Sequence, residues 1–302
     1  MTSLEHKRDR ALGSLIGLAI GDAVGTTLEF RTRGSFAPIT DLVGGGPFGL
    51  RAGQWTDDTS MALCLADSLL ASNGLNQKDL AERFLRWKTH GENSVNGRCF
   101  DIGRATETAL DRFAADHNPV AGSTSARDGG NGSLMRLAPI AVRFRQLANA
   151  QAAAVAQSVV THGAEECVDA CAYFVELLLQ AIDGVDKEMV LQPRDRALSP
   201  KIAAIARGEW RQKPEGQIAS TGYVVHTLEA ALWCVAQSAD FREAVLRAAN
   251  LGHDADTVAA VTGQLAGALW GLTGIPAAWL AKLAWRDDIV ARGTALWDAS
   301  LL

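Results

Sequence analysis

Two short stretches of the sequence concentrate hard oxygen donors. Thr56-Asp57-Asp58-Thr59 leads into an apolar run that starts near Ser60, and His253-Asp254-Ala255-Asp256-Thr257 opens a second small-residue run. Thr and Asp are favoured helix caps, so either stretch taken alone is explained by capping. The pair together says more. Adjacent carboxylates repel, and a helix N-terminus offers only about half a unit of positive charge against them. Residues two apart do not share a helix face, so Asp254 and Asp256 converge only where the chain is still turning into its helix. If the two stretches meet, Thr56, Asp57, Asp58, Asp254, Asp256 and Thr257 supply six donor side chains. Four carboxylates in one cleft are relieved most simply by divalent cations. With no Cys or His pair beside them, the donors favour Mg²⁺ or Mn²⁺ over Zn²⁺.

The elements that must position these groups read almost entirely at a helical period. Arg8 to Val24, Ser60 to Leu70, Gln77 to Lys88, Ala105 to Phe113, Leu134 to Ala148 and Ala152 to Val160 are rich in alanine and leucine. So are Glu165 to Ile182, Gly222 to Ser238, Phe241 to Leu251, Thr257 to Leu272 and Ala277 to Leu283. The pattern predicts an all-α chain. Gly13, Gly17, Gly21 and Gly25 recur every four residues, as do Gly263, Gly267 and Gly271. Interior helix glycines cost roughly 1 kcal/mol each against alanine, so the stripes imply either two helices in backbone contact or small positions in a crowded core. Glycine-rich loops over 34–54 and 121–133 are expected to bring backbone N–H groups to a ligand. The polar stretch 183–220, with Arg194, Arg196, Lys201, Arg207, Arg211 and Lys213, is expected to be a surface excursion.

Composition narrows the class. The 302 residues carry 29 Lys plus Arg against 34 Asp plus Glu, a formal charge of −5 without a basic tract, which argues against a nucleic-acid partner. Five scattered cysteines without C-x-x-C spacing read as core thiols in a reducing cytoplasm. His6-Lys7-Arg8 before the apolar run 11–20 imitates a secretory signal, but Asp9 interrupts the basic segment and Asp22 follows the run, so a cytoplasmic chain is expected. Val258 to Ala281 is nearly apolar enough for a membrane span, but Gln264 and Pro276 interrupt it, and a buried helix is expected instead.

The ordered motifs carry a family resemblance. Gly21-Asp22-Ala23-Val24-Gly25, Glu29-Phe30, Thr56-Asp57-Asp58-Thr59, Asp101-Ile102-Gly103 and Gly130-Asn131-Gly132-Ser133-Leu134-Met135-Arg136 follow one another. Thr161-His162, Gly222-Tyr223 and Asp254-Ala255-Asp256-Thr257 complete the set. In this order, from about residue 10 to 285, they resemble the ADP-ribosylglycohydrolases. The resemblance implies one all-α domain over 1–302, a compact orthogonal helical bundle with a dinuclear metal site in a central cleft. It also implies a hydrolase that removes ADP-ribose from a modified protein or other molecule, arginine linkage favoured, releasing ADP-ribose with no membrane partner.

Site roles carry over position by position. Thr56, Asp57, Asp58, Asp254, Asp256 and Thr257 match the ligands of two Mg²⁺ or Mn²⁺ ions. Asp101 matches the general base and Glu29 a glutamate near the metals. Asn131, Gly132, Ser133 and Met135 match the loop that holds the diphosphate and distal ribose. Gly103, His162 and Tyr223 match substrate-binding positions, the tyrosine placed to stack on adenine. A turn, a helix cap or an ordinary surface tyrosine accounts equally for several of these residues taken singly. Two cations about 3.5–4 Å apart would grip the ribose diol and acidify water, while Asp101 and Glu29 move protons. Two other readings stand beside this one: an ADP-ribose binder or toxin-immunity protein on the same scaffold, and, through His253-Asp254, an HD-type metal phosphohydrolase.

Overall fold

The computed structural model describes residues 2–301; Met1 and Leu302, the ends of the expected domain, lie outside the described residues. Fourteen α-helices follow one another among them: α1 (Ser3–Gly25), α2 (Asp57–Ala71), α3 (Gln77–His90), α4 (Arg104–Asp116), α5 (Ala138–Arg143), α6 (Leu147–Ser158) and α7 (Glu165–Ile182), then α8 (Lys187–Val190), α9 (Pro200–Ala206), α10 (Val224–Ala236), α11 (Phe241–Ala249), α12 (Ala255–Trp270), α13 (Ala277–Lys282) and α14 (Arg286–Ala299). The all-α expectation holds, and only isolated β-bridges occur among the described residues.

The glycine stripes decide how the bundle is assembled, because α1 and α12 form its most extensive helix pair. A Cβ placed on Gly13 would stand 2.3 Å from Gly267 O, and one on Gly17 2.2 Å from Gly263 O. On Gly21 it would stand 2.1 Å from Ala259 O, and on Gly25 2.3 Å from Ala255 O. Partners therefore descend by four as the stripe ascends by four. The helices run antiparallel with backbones touching, and of the two readings left open the direct contact is correct. Gly271, just past the end of α12, continues the register onto Asp9 of α1, where it meets a side chain. This register delivers the C-terminal end of α1 to the N-terminal end of α12. Since the facing atoms are backbone and cannot yield, Gly17→Ala should cost at least about 3 kcal/mol and lower Tm by roughly 6 °C or more, read by thermal melting.

Membrane-length apolarity in α1 is accounted for by the same packing: its most apolar window is 94% buried inside the protein. α12, the core of the second apolar run, is buried along almost its whole length. The five cysteines are unpaired, four of them buried.

One expectation needs correction, one needs completing, and one helix was not anticipated. The single helix over 134–148 is divided: a turn covers 132–136, α5 restarts with Pro139 in its first turn, where a missing N–H costs nothing, and Phe144 is extended before α6 begins. The excursion over 183–220 is pinned to the core. Glu176 of α7 holds Arg196 at 2.6 Å and Arg194 at 3.9 Å, while α9 and Trp210 bury their apolar side chains. α14 escaped the periodic reading because only Ile289, Gly293, Leu296 and Trp297 of its face are buried, with Gly293 seated on Leu12.

Candidate active site

Three helix N-termini, those of α2, α4 and α12, open onto one cleft of about 310 Å³. Thr56 caps α2 and Asp254 caps α12, so the two Thr/Asp stretches meet as expected even though Thr56 and Asp256 are 200 positions apart. Thr56 Oγ1 lies 3.3 Å from Asp256 Oδ2, and Thr257 Oγ1 lies 3.4 Å from Asp58 Oδ2. One oxygen each from Asp57, Asp58 and Asp256 falls within a mutual 4.8 Å, and so does one each from Glu29, Asp101 and Asp256. Asp101 thus stands closer to the cluster than its place in the sequence suggested.

The electrostatics show what such a cage lacks. Burial, then neighbouring carboxylates, push Asp57, Asp58 and Asp256 well above the ordinary carboxyl range. Burial raises Asp254 to about 6 and Asp101 to about 7. Glu29 is driven to about 10 by burial and by Asp101, to which it donates the proton it retains. Glu29 Oε2, Asp58 Oδ1, Asp101 Oδ2 and Asp256 Oδ1 are buried acceptors without a partner. Buried polar groups are generally paired, and four unpartnered carboxyl oxygens gathered in one cleft fit a divalent cation, which would displace the protons they hold without it. The acidic cluster could therefore hold metal.

Asp22 is the residue that sequence reasoning missed. Buried in α1, it accepts from Thr56 N at 2.8 Å, Thr56 Oγ1 at 2.9 Å, Thr59 N at 3.0 Å and Thr59 Oγ1 at 2.6 Å. These four bonds fasten the start of α2 to α1 and aim Thr56 inward. Burial raises Asp22 to about 6 despite them. Its signal was in the sequence, as an Asp in an otherwise apolar glycine-striped helix, but its partners lie 34 and 37 positions away.

The opposite wall is the 129–132 loop, paired with 222–224 through Asn131 N to Gly222 O and Val224 N to Gly129 O. Asn131 Nδ2 donates to Asp254 Oδ2 at 2.6 Å and to Thr227 Oγ1 at 2.9 Å, joining the loop to the carboxylates. Gly132 is required because a Cβ there would stand 2.7 Å from His162 Cε1. His162 is buried, and its pKa falls to about 3 through burial and the Arg136 charge, so the ring is neutral. Arg136 Nη2 donates to Thr161 Oγ1, leaving that hydroxyl to donate to His162 Nδ1 at 2.8 Å. The network assigns the ring proton to Nε2, on the side of Gly130 and Gly132.

Glu29, Asp101, Gly103, Asn131, Gly132, Met135, His162, Asp57, Asp254, Asp256 and Thr257 all line the cleft. Ser133 does not. Its hydroxyl accepts from Ser158 at 2.8 Å in the core between α6 and α7, because the turn at 132–136 rotates it away from the cleft. Tyr223 lines an adjoining compartment of about 300 Å³ that shares Arg104, Ala105, Gly130 and Gly222 with the main cleft. Its hydroxyl donates to Glu166 and accepts from Lys201 Nζ at 2.7 Å. The 34–54 loop lines neither compartment, contrary to expectation: a Cβ on Gly46 would stand 2.0 Å from Thr26 O at the end of α1 and one on Gly53 1.9 Å from Lys282 O, so these glycines serve close approaches to the protein's own backbone. His253 is exposed and pairs through its backbone with Phe30 and Arg31, which removes the support for an HD-type site.

Fold and site together define a helical protein with a buried acidic cluster, of a kind that could hold cations, at the floor of a cleft of about 310 Å³. The chain belongs to the ADP-ribosylglycohydrolase family, whose model matches residues 3–301, and it is a glycosidic-bond hydrolase. It is 50% identical over 295 residues to the ADP-ribosylarginine hydrolase Tri1 of Pseudomonas putida (strain GB-1), covering 97% of this chain and 79% of that one. Identity to the Tri1 protein of Serratia proteamaculans (strain 568) is 45%, with 93% and 77% covered. Identity to the ADP-ribosyl-dinitrogen reductase glycohydrolase of Rhodospirillum rubrum is 32%, with 91% and 90% covered. A solved structure described as an ADP-ribosylglycohydrolase-related protein complex superimposes with a TM-score of 0.88 at 41% identity, covering 98% of this chain and 99% of that one.

Proposed function

We propose that this protein hydrolyses the N-glycosidic bond of ADP-ribosylated arginine with two divalent cations, Mg²⁺ or Mn²⁺. The observation that carries the reading is the meeting of both Thr/Asp stretches around buried carboxylate oxygens without partners. Relatives at 50% and 45% identity, both named as ADP-ribosylarginine hydrolases, support the linkage. Thr56, Asp57, Asp58, Asp254, Asp256 and Thr257 would hold the ions. Bound there, divalent cations supply positive charge that orients the ribose diol and eases deprotonation of water.

The remaining work falls to side chains. Asp101 takes the proton of the attacking water, its Oδ2 being free to accept. Glu29, which keeps its proton beside Asp101, returns one to the departing guanidine. Asn131 fixes Asp254, and His162 Nε2–H lies behind the Gly130–Gly132 loop, where the diphosphate would run. Gly103 leaves the start of α4 uncovered for an anion, and Met135 forms an apolar wall. Tyr223 offers its ring to adenine in the adjoining compartment. The target is an ADP-ribosylated protein or smaller molecule, and ADP-ribose is the product.

Defined peptides ADP-ribosylated on arginine, serine or glutamate test the reading. Turnover should favour arginine by at least about tenfold in kcat/KM. Equal rates on all three would remove the arginine assignment, and stoichiometric binding without turnover would establish a binder on this scaffold.

A further inference from the structure

The two cleft carboxylates outside the Thr/Asp stretches each have a phenylalanine beside them in sequence, as Glu29-Phe30 and Phe100-Asp101. Phe48 links the pair, its ring centroid 6.4 Å from that of Phe30 at 72° and 5.1 Å from that of Phe100 at 62°. Phe30 is 66% exposed. Its φ is +59°, a conformation bulky side chains rarely adopt, and it is held there by Phe30 N to His253 O at 2.6 Å and His253 N to Arg31 O at 2.8 Å. Phe48 is fixed in turn by the Gly45–Leu50 hairpin resting on Thr26. An apolar ring is thus held in water, at the cost of backbone strain, beside the carboxylates.

We propose that Phe30, backed by Phe48 and Phe100, is the specificity residue that receives the leaving group, its ring stacking on the guanidinium of the modified arginine. The inference rests on the arginine reading above. Phe30 lines the cleft together with Glu29, Asp101 and Asp256, whereas the adjoining compartment is lined by Tyr223 and does not include Phe30. ADP-ribose extending from the carboxylates toward Tyr223 leaves its anomeric substituent to depart past Phe30. A guanidinium is planar and cationic, so it fits between an aromatic face and carboxylates. A serine or glutamate linkage presents no planar cation to the ring.

The test compares Phe30→Leu and Phe30→Trp with the unaltered protein on an arginine-ADP-ribosylated peptide, together with calorimetric binding of free ADP-ribose. Phe30→Leu should lower kcat/KM about tenfold, chiefly through KM, and Phe30→Trp should retain it. ADP-ribose, which lacks the guanidine, should bind all three within about twofold. Because Phe30 is largely exposed, folding is not at stake, and Phe48→Leu should give a smaller loss of the same kind. Unchanged kcat/KM in Phe30→Leu, or a parallel loss of ADP-ribose affinity, overturns the inference while leaving the proposed activity intact. Failure of the unaltered protein to turn over the arginine peptide overturns both.

Discussion

Asp101→Asn should lower kcat on ADP-ribosylarginine about a thousandfold, the scale expected when a general base is lost, while Mn²⁺ and ADP-ribose bind as before. The amide keeps the shape of the carboxyl and removes its ability to accept a proton. Asp101 stands with Glu29 and Asp256 in a group whose oxygens come within 4.8 Å, so it is near enough to touch a cation as well. The two roles separate by readout. A base lost from the chemical step lowers kcat with titrated Mn²⁺ affinity unchanged, whereas a lost ligand weakens both together. Parallel loss would move Asp101 into the cation shell and leave Glu29 as the remaining proton carrier.

In chelator-stripped protein, stability should fall as pH rises from about 4 to 8, and Mg²⁺ or Mn²⁺ should flatten the slope. The sign follows from the direction of the shifts. The native state holds protons on Asp22 and Asp254 up to about pH 6, on Asp101 to about 7 and on Glu29 to about 10, all above their unfolded values. Between the unfolded and folded pKa values the native state binds more protons than the unfolded chain, so stability declines with pH there and is greatest at the acid end of the window. The decline should amount to roughly 5 °C in Tm or more across the range. Cations bound only to the native state should restore it, contributing about 2.7 kcal/mol at a hundredfold excess over Kd. A flat apo profile would mean that the carboxylates do not share one buried cage.

The acidic cluster was legible in the sequence because its side chains come as two copies of one pattern, Thr and Asp at a helix mouth, and because mutual repulsion demands a common remedy. The helix contact beneath it was legible as two four-residue glycine stripes, although only the structure pairs Gly17 with Gly263 and so explains how residues 200 positions apart meet. What was hidden depends on partners remote in sequence. Asp22 looks like a lone polar residue until Thr56 and Thr59 are folded against it. The outward-looking Ser133 of the linear motif turns inward because the 132–136 turn, and not a helix, carries it. In the 34–54 loop the close approaches that glycine permits are to the protein's own backbone, Gly46 to Thr26 and Gly53 to Lys282, and not to a ligand; the first of them helps to place Phe48. α14 was invisible because a helix with so few buried apolar positions has no clear period of its own.

The most direct test of the account is turnover of an arginine-ADP-ribosylated peptide by protein stripped with chelator and then supplied with Mg²⁺ or Mn²⁺. The account predicts that stripping abolishes release of ADP-ribose, that either cation restores it, and that Asp256→Ala stays inactive at any cation concentration. Release of ADP-ribose at the same rate with and without chelator would contradict it, because the carboxylate cage would then be a feature of the fold and not the centre of the reaction.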